Sequence, residues 1–569
     1  MNEEERRKII SNEYVDIIVE YKGNQNNLSV YQQDTINIID FNYAVVHYPY
    51  SRVPPILSNE IRYAQIPKLY GLLDTSAIDA MGVRKLQSQP YLALRGQGVL
   101  LGFVDTGIDY TNPLFKKANN TTRILSIWDQ TVENMEASKD IYYYGKEYSM
   151  EQINLAIMSS APVSVVPSMD ENGHGTMMAA YAGGSQVEEK DFEGVATLAD
   201  YVIVKVKPAK QVFRDYFFVN EDAVCYQEND IMFGIEYLIN YASRLKRPIA
   251  ICIGVGTNQT SHDGTSSLEK QIGFFANEPG RAIVVAGGNE RNSGHHYFAM
   301  IDPKKGSDSY EINVAENESG FATEIWGNSP GAYSIDILSP SGEYIPRIPA
   351  RFKESRTIKF LFEDTIIYVS YLLLEPSTGD QLIFMRFSKP TKGIWRITVY
   401  GQGDVGLAFH SWLPIQGFIK KDTFFVKPNP ETTITSPGNS KNVITSTAYN
   451  HKNNSIYLNA SMGYNRVNEV KPDLAAPGVE VYGPLPGNEY GSNTGTSVAA
   501  AYTTGISALL LEWGILRGQY ESINTGVIKK FLIRGANRSE VRTYPNKEWG
   551  YGALDIYRTF NSLRGEVES

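Results

Sequence analysis

Hydrophobic and polar residues alternate through much of the first 75 residues of the chain. This period-two pattern is typical of half-buried β-strands, and it is clearest in segments 14–21, 36–48 and 61–66. A polar, helix-compatible segment precedes them. We therefore expect a small α+β unit over residues 1–75.

A different pattern begins near residue 99, where apolar runs are continuous. Such runs are typical of parallel strands buried on both faces. They lie at 99–104, 201–206, 249–253 and 282–286. Residues 230–246 have apolar side chains at helical spacing, with Asp230 placed to cap the helix. The alternation predicts an α/β domain with a doubly wound parallel sheet, over 76–296 and 426–569.

Residues 297–425, which separate the two halves of this domain, have an all-β pattern. Short strands recur there between turn residues, which predicts an inserted β-sandwich or jelly roll. The strands are expected at 310–314, 333–337, 357–362, 366–371, 382–387, 394–400 and 407–412. Three tryptophans, Trp326, Trp395 and Trp412, are expected to pack in the core, with ligand binding as the alternative.

Composition narrows the classes of function. The chain has 569 residues, a net charge of -10 and a pI of about 5.4, which argues against nucleic acid as the main partner. Two cysteines, Cys225 and Cys252, lie in apolar runs and are expected to be buried thiols. The first residues lack the apolar core of a signal peptide, and no apolar run reaches about 18 residues. We expect cytoplasmic synthesis, with the protein kept in the cell or exported by lysis or another route, and no membrane span.

Three polar residues occupy places where α/β sheets build sites. Asp105, in Val104-Asp105-Thr106-Gly107, follows a buried strand, although an Asp near a Gly is more often a turn former. His174 lies between two glycines at the start of an apolar helix, where a helix-cap histidine is the alternative. Ser497 begins another apolar helix, whose free N–H groups and dipole favour negative charge; an ordinary cap is the alternative.

Together the three motifs change the interpretation, because they occur in the order Asp, His, Ser. The chain resembles the subtilisin family (S8) of serine proteases from about residue 82 to 555, apart from the β insertion. Other segments resemble family segments in the expected order. They are Phe192-Glu193-Gly194-Val195-Ala196, Val284-Val285-Ala286-Gly287-Gly288-Asn289-Glu290, Lys471-Pro472-Asp473-Leu474-Ala475-Ala476-Pro477-Gly478-Val479 and Trp549-Gly550-Tyr551-Gly552.

The resemblance implies a role for each candidate residue. Ser497 would be the nucleophile, His174 its general base and later acid, and Asp105 the residue that orients the imidazole. Asn289 would form the oxyanion hole with the Ser497 backbone N–H, although a Gly-Gly-Asn turn is the alternative. The implied substrate is an extended protein or peptide. It would pair with the strand Gly254-Val255-Gly256.

Departures from the family pattern concern the pocket and not the catalytic groups. Gly254 stands where the family usually has serine, Thr494 where serine is common, and Ala501 where proline is usual. The segment after the histidine helix, 187–191, is too short for the family's calcium loop. We therefore expect a solvated turn there, no metal and no cofactor.

Residues 1–75 resemble the family's N-terminal prodomain in length and strand pattern. The resemblance implies that the prodomain assists folding and is cut off autocatalytically. The junction is expected around Leu72, Leu73, Asp74 and Thr75. The alternatives are a permanent accessory domain and a prodomain that is cut but retained.

The β insertion and the absence of a signal peptide make the chain similar to the clostridial Csp germination proteases, and so do segments 121–130 and 261–266. That resemblance implies a monomeric, self-processing endopeptidase, packaged in the spore, that activates a specific protein. The alternatives are a silent pseudoprotease acting as a binding module and a broad degradative protease. His262 and Asp263 are expected in a surface loop and not in a second triad.

Overall fold

The computed structural model describes residues 3–31, 34–52, 63–72, 79–132, 142–352 and 354–564. Within these ranges the chain forms an N-terminal unit, a large α/β domain and a β-region that interrupts the α/β domain. We describe the elements in chain order.

The N-terminal unit is a small antiparallel sheet with one helix. Its elements are α1 (Glu3–Ile10), β1 (Tyr14–Glu20), β2 (Thr35–Ile38), β3 (Tyr43–Pro49) and β4 (Leu69–Leu72). β3 lies between β1 and β2, and both pairings are antiparallel. β4 leaves this sheet and pairs with the α/β domain instead.

Two strand predictions in this unit are wrong. Segment 36–48 is a hairpin and not one strand, because Asp40 Oδ1 accepts hydrogen bonds from the backbone N–H groups of Asn42 and Tyr43, at 2.7 and 2.8 Å. Such an Asx turn reverses the chain. In segment 61–66, Tyr63–Gln65 is a short 3-10 helix, while residues 61–62 lie outside the described ranges.

The first half of the α/β domain contains seven helices and eight strands within the described ranges. They are α2 (Val83–Gln87), β5 (Leu100–Asp105), β6 (Ile124–Asp129), β7 (Lys146–Ser149), α3 (Met150–Met158), α4 (Pro162–Val165), α5 (His174–Gly183), β8 (Asp200–Lys205), α6 (Gln211–Phe217), β9 (Tyr226–Gln227), α7 (Glu228–Leu245), β10 (Ile249–Ile253), β11 (Val255–Gly256), α8 (Ser267–Ala276) and β12 (Arg281–Ala286).

Helix α7 begins earlier than its sequence pattern predicted. Gln227 is its N-cap residue, so Asp230 lies inside the first turn and is not the cap. Asp230 is buried and its Oδ2 accepts a hydrogen bond of 2.6 Å from Nζ of Lys207. The tertiary ion pair, and not capping, therefore accounts for this aspartate.

The β-region follows β12. Its strands are β13 (His296–Met300), β14 (Ser307–Val314), β15 (Gly320–Gly327), β16 (Ala332–Leu338), β17 (Tyr344–Ile348), β18 (Ser355–Lys359), β19 (Ile366–Leu372), β20 (Gln381–Ser388), β21 (Gly393–Gln402), β22 (Ala408–Trp412) and β23 (Phe424–Phe425). They form a six-stranded sheet, β13-β22-β15-β20-β19-β18, and a five-stranded sheet, β17-β16-β21-β14-β23. Apolar side chains of both sheets share one core. β15 was missed because it is buried on both faces and does not alternate.

All three candidate tryptophans of the β-region are buried. Trp395 lies in the core between the two sheets. Trp326 and Trp412 instead join an apolar cluster that also includes Phe213 of α6 and Val46 of the N-terminal unit. The core-packing interpretation therefore accounts for all three, and this shared cluster connects the three parts of the molecule.

The second half of the α/β domain completes the main sheet. Its elements are β24 (Ile444–Asn450), β25 (Ser455–Ile456), β26 (Leu474–Pro477), β27 (Val481–Pro484), β28 (Tyr490–Asn493), α9 (Thr496–Leu511), α10 (Thr525–Gly535) and α11 (Ile556–Leu563). The nine-stranded main sheet has the order β25-β24-β12-β10-β5-β8-β6-β7, with β26 also paired to β24. β12 and β24 are parallel neighbours, although the whole β-region separates them in sequence.

Helices cover both faces of this mostly parallel sheet, with α5 and α9 on one face and α7 and α8 on the other. Residues 496–516 form the one helix within the described ranges that has the length and hydropathy of a membrane span. However, 89% of an apolar 18-residue stretch of this helix is buried inside the protein. It is the central core helix, and the carboxyl ends of the parallel strands lie at its N-terminus.

Candidate active site

Asp105 and His174, the candidate orienting carboxylate and candidate base, lie on two elements that pack against each other. Asp105 is the last residue of β5, and His174 is the first residue of α5. His174 Nδ1 is 2.7 Å from Asp105 Oδ1, which also accepts the backbone N–H of Thr106 at 2.8 Å. Both side chains are buried. The carboxylate therefore holds the imidazole in one orientation.

The start of α5 explains why His174 can approach Asp105 so closely. Asp170 accepts the N–H of Gly173 with Oδ1 and that of Thr176 with Oδ2, both at 2.8 Å, and so caps the helix. A Cβ on Gly175 would lie 2.3 Å from the carbonyl oxygen of Gly107. Glycine is therefore required at position 175. The sequence analysis missed Asp170, because it lies three residues before the N-cap residue Gly173 and therefore outside the usual capping pattern.

Ser497 and His174 both lie beside Gly254. Ser497, the second residue of α9, donates a hydrogen bond of 3.2 Å from Oγ to the carbonyl oxygen of Gly254. A Cβ on Gly254 would lie 3.0 Å from His174 Cε1 and 2.4 Å from Met178 Sδ. The serine and the imidazole thus adjoin the same glycine. Met178 fills the space that a side chain at position 254 would need, which is a physical reason for the glycine there.

Asn289 lies beside the start of α9. It follows β12, and its Oδ1 accepts the backbone N–H of Thr496 at 3.2 Å, while Thr496 Oγ1 accepts the N–H of Gly288 at 3.1 Å. With Oδ1 held in this way, the NH₂ group of Asn289 is directed away from Thr496. The backbone N–H of Ser497 belongs to the first helical turn, where donors have no intrahelical acceptor. Both groups are hydrogen-bond donors, as an oxyanion site requires.

The loop after Asn289 is anchored to the β-region by Glu290, a residue that the sequence analysis did not single out. Glu290 Oε1 accepts the N–H of Gln416 at 3.1 Å, and Oε2 is 3.2 Å from His295 Nδ1. The side chain is buried. The β-region thus contacts the segment that holds the candidate oxyanion donor.

The strand after Gly254 pairs with the end of the N-terminal unit. β4 lies between β11 and β9, with Leu72 opposite Val255 and Gly71 opposite Gly256. Both pairings of β4 are antiparallel. Residues 69–72 therefore run through the site as an extended central strand. Of the expected junction residues Leu72 lies in β4, whereas Leu73, Asp74 and Thr75 lie outside the described residues.

The surface-loop prediction for His262 is wrong. His262 is fully buried, its ring stacks on Trp412 at 4.1 Å, and its Nδ1 is 2.9 Å from the carbonyl oxygen of Ile434. Asp263 Oδ2 pairs with Arg466 at 3.0 Å. The packed β-region buries this segment. His262 and Asp263 therefore help to join the α/β domain to the β-region.

Clusters of metal-ligating side chains and reactive thiols are two other candidate sources of chemistry among the described residues. Within the described ranges no three His, Cys, Asp or Glu side chains come together as metal ligands. Both cysteines are free and buried, as the sequence pattern predicted. Burial raises the pKa of the Cys225 thiol to about 11, which disfavours the reactive thiolate.

Comparison with known proteins establishes the class to which this fold and site belong. The subtilase family matches residues 96–314 and 396–552. The chain therefore belongs to the subtilase family of serine peptidases. The predicted subtilisin-like α/β fold is confirmed at this level.

Comparison with individual proteins shows which members of the family this chain is similar to. The structure of the CspB protease of Clostridium perfringens superposes with a TM-score of 0.76 at 30% identity, over 86% of this chain and 98% of that chain. The C5a peptidase of Streptococcus pyogenes serotype M6 is 20% identical over 84% of this chain, which spans only 40% of that protein. Pyrolysin of Pyrococcus furiosus is 31% identical over 17% of this chain and 7% of its own length. The predicted resemblance to the Csp proteases is confirmed.

Proposed function

We propose that this protein is an endopeptidase that hydrolyses peptide bonds through Asp105, His174 and Ser497. The observation that carries the proposal is the meeting of the buried Asp105–His174 pair with Ser497 at Gly254. An Asp–His pair and a serine that adjoin one glycine at the carboxyl ends of parallel strands can activate a hydroxyl for acyl transfer.

The proposed reaction has two halves, and in each half His174 first accepts a proton and then returns it. Ser497 Oγ attacks the scissile carbonyl while Nε2 of His174 takes its proton. Asn289 and the Ser497 N–H bind the developing oxyanion. His174 then protonates the leaving amine, and an acyl-enzyme remains. Water, activated by the same imidazole, hydrolyses the acyl-enzyme and regenerates Ser497.

The first proposed substrate is the chain itself. β4 occupies the groove as an added strand, the manner in which extended peptides bind sheet edges. Leu72 pairs with Val255, the residue next to Gly254, whose carbonyl accepts the Ser497 hydroxyl. We place the cut within the Leu72–Thr75 region, and residues 1–75 are then a prodomain.

The proposed second substrate is one specific protein, activated by limited proteolysis in spore germination. The likeness to the CspB protease over most of both chains is the support for this step. Cytoplasmic synthesis and packaging in the spore belong to the same proposal, as does a monomeric enzyme without cofactor or metal.

The test is the intact mass of purified protein beside that of its Ser497→Ala variant. We expect wild type to be split near residue 73 and the variant to remain whole, and the fragment masses give the junction. If both remain whole and a peptide panel is also uncleaved, a silent binding module replaces the proposal. Rapid cleavage of the whole panel would instead favour a degradative protease.

A further inference from the structure

Lys68, the residue before β4, has its side chain in a buried acidic cluster. Only 3% of Lys68 is exposed. Its Nζ donates a 2.5 Å hydrogen bond to the carbonyl oxygen of Ile66 and interacts electrostatically with Glu228, Glu324 and Glu375. All three carboxylates are buried as well. Glu228 belongs to α7 of the α/β domain, whereas Glu324 and Glu375 belong to the β-region.

The backbone fixes Lys68 in register with β4. Its N–H donates to Glu228 Oε2 at 3.2 Å, and the N–H of Glu228 donates to the Lys68 carbonyl oxygen at 2.9 Å. The N–H of Leu69 donates to Gln259 Oε1 at 3.2 Å. The ladder of β4 therefore continues through Lys68, which lies four residues before Leu72.

The cluster is a preformed pocket that this lysine fills. Lys68, Glu228, Glu375 and Trp326 line one cavity whose remaining volume is about 30 Å³, the space of about one water. Glu375 Oε2 accepts the N–H groups of Ser377 and Thr378, both at 2.9 Å. These donors hold the carboxylate in place whether or not a cation is present.

The three buried carboxylates of the pocket favour a cation over a neutral or acidic side chain. Burial lowers the pKa of Lys68, and the neighbouring carboxylates oppose that shift. Burial likewise raises the pKa of Glu228, and Lys68 opposes it. A neutral side chain at this position would leave buried carboxylates uncompensated, and an acidic one would add repulsion.

We propose that this pocket is a distal substrate subsite that selects a lysine or arginine four residues before the residue that pairs with Val255. The inference rests on the proposed function, in which β4 lies in the groove as substrates do. It also assigns a role to the β-region, whose Glu324 and Glu375 contribute to recognition. The substrates are then polypeptides with a basic side chain at that distance from the cut.

The first test follows self-cleavage of the full chain by intact mass over time. We expect Lys68→Arg to be cut at close to the wild-type rate, Lys68→Met at least tenfold slower, and Lys68→Glu slower again. The double variant Lys68→Glu/Glu375→Lys should recover at least tenfold over Lys68→Glu. Each variant is also made with Ser497→Ala, so that its unfolding temperature shows whether it folds.

The second test measures selection directly and does not depend on how the variants fold. Processed wild-type enzyme receives peptides that repeat residues 64–80, with Lys, Arg, Met or Glu at position 68. We expect kcat/KM at least tenfold higher for Lys and Arg than for Met, and a smaller ratio for the Glu375→Gln enzyme. Equal kcat/KM for all peptides would overturn the subsite even if Lys68 stabilises the fold. A wild-type chain that is never cut would contradict the proposed function, and the subsite with it.

Discussion

Two Asp–His pairs in this protein have the same geometry in different surroundings. His174 Nδ1 lies 2.7 Å from Asp105 Oδ1 in the candidate site. His47 Nδ1 of β3 also lies 2.7 Å from Asp16 Oδ1 of β1, in the N-terminal unit. Both pairs are buried. The distance between the two side chains therefore does not distinguish a candidate catalytic pair from a structural one.

The difference lies in what faces each pair. Asp16 Oδ1 also accepts a 2.8 Å hydrogen bond from Nζ of Lys210, a residue of the α/β domain, and Oδ2 accepts one of 3.0 Å from Gln227. Within the described residues, no hydrogen-bonding group faces Nε2 of His47. The first pair instead adjoins Ser497 through Gly254. A hydroxyl, a groove and an oxyanion site mark the candidate catalytic pair.

The largest difference in self-cleavage rate is expected between variants of the two histidines. His174→Ala should lower the rate of self-cleavage by about 10⁶-fold, which is the scale of loss when a subtilisin loses its catalytic base. His47→Gln should still be cut, because no reacting group lies beside it. Intact mass over time measures both. Continued cleavage of the His174 variant would remove this residue from the reaction.

The two aspartates should separate chemistry from stability. Asp105→Asn is expected to lower the cleavage rate by about 10⁴-fold while the fold is kept, because the imidazole loses the carboxylate that orients it. Asp16→Asn should instead destabilise the protein by about 3–5 kcal/mol, because it leaves the Lys210 ammonium buried without its carboxylate.

Unfolding is measured in the Ser497→Ala background, in which self-cleavage is removed. Burial by itself raises the pKa of Asp16, but Lys210 and His47 outweigh it and hold the pKa well below its usual range. The stability that Asp16 contributes is therefore present above its unfolded pKa of 3.8 and is lost as the pH falls below that value. A pH-independent difference between Asp16→Asn and its parent would contradict this assignment.

A smaller loss of activity is expected when the candidate oxyanion donor Asn289 is removed. Asn289→Ala should lower kcat by about 10²–10³-fold with little change in KM, because the donor acts mainly in the transition state. Asn292→Ala is the matched control in the same loop, since that side chain is exposed and donates to the Leu458 carbonyl oxygen. Equal rates for the two variants would return Asn289 to the role of a turn residue.

The smallest effect is expected from Glu269, a buried carboxylate that, unlike Asp16, has no cation paired with it among the described residues. Burial raises the pKa of Glu269 to about 7, with the charge of Asp263 adding to the shift. The folded pKa exceeds the unfolded value of 4.5, so the stability is fully present below 4.5 and is lost as the pH rises through 7. Glu269→Gln should gain up to about 3 kcal/mol relative to its parent above pH 7.

The measurement is the unfolding temperature at pH 5 and pH 8, again in the Ser497→Ala background. The gain from Glu269→Gln should shrink by pH 5, where the glutamic acid is already protonated. In the parent protein Glu269 accepts the N–H of Ser266 at the start of α8. The side-chain amide of the Glu269→Gln variant can still accept this hydrogen bond through its oxygen. A gain of equal size at both pH values would show that Glu269 does not titrate in this range.

Local signals along the chain determined much of this protein by themselves. The strand before Asp105, the glycines around His174 and the apolar helix after Ser497 are short-range patterns, and their order indicated the family that the comparisons confirm. Buried parallel strands read as continuous apolar runs wherever they occur. The catalytic roles of the three residues remain predictions, although the structure brings the residues together.

Only the tertiary structure decided which polar residues matter through distant partners. Asp230 looked like a cap and is an ion-pair partner, and His262 looked exposed and lies beneath Trp412. Lys68 carried no local signal, because its carboxylates come from positions 228, 324 and 375. Helix and strand patterns depend on neighbours along the chain, whereas burial and charge pairing depend on neighbours in space. The long β-region supplies many of the spatial neighbours along the groove.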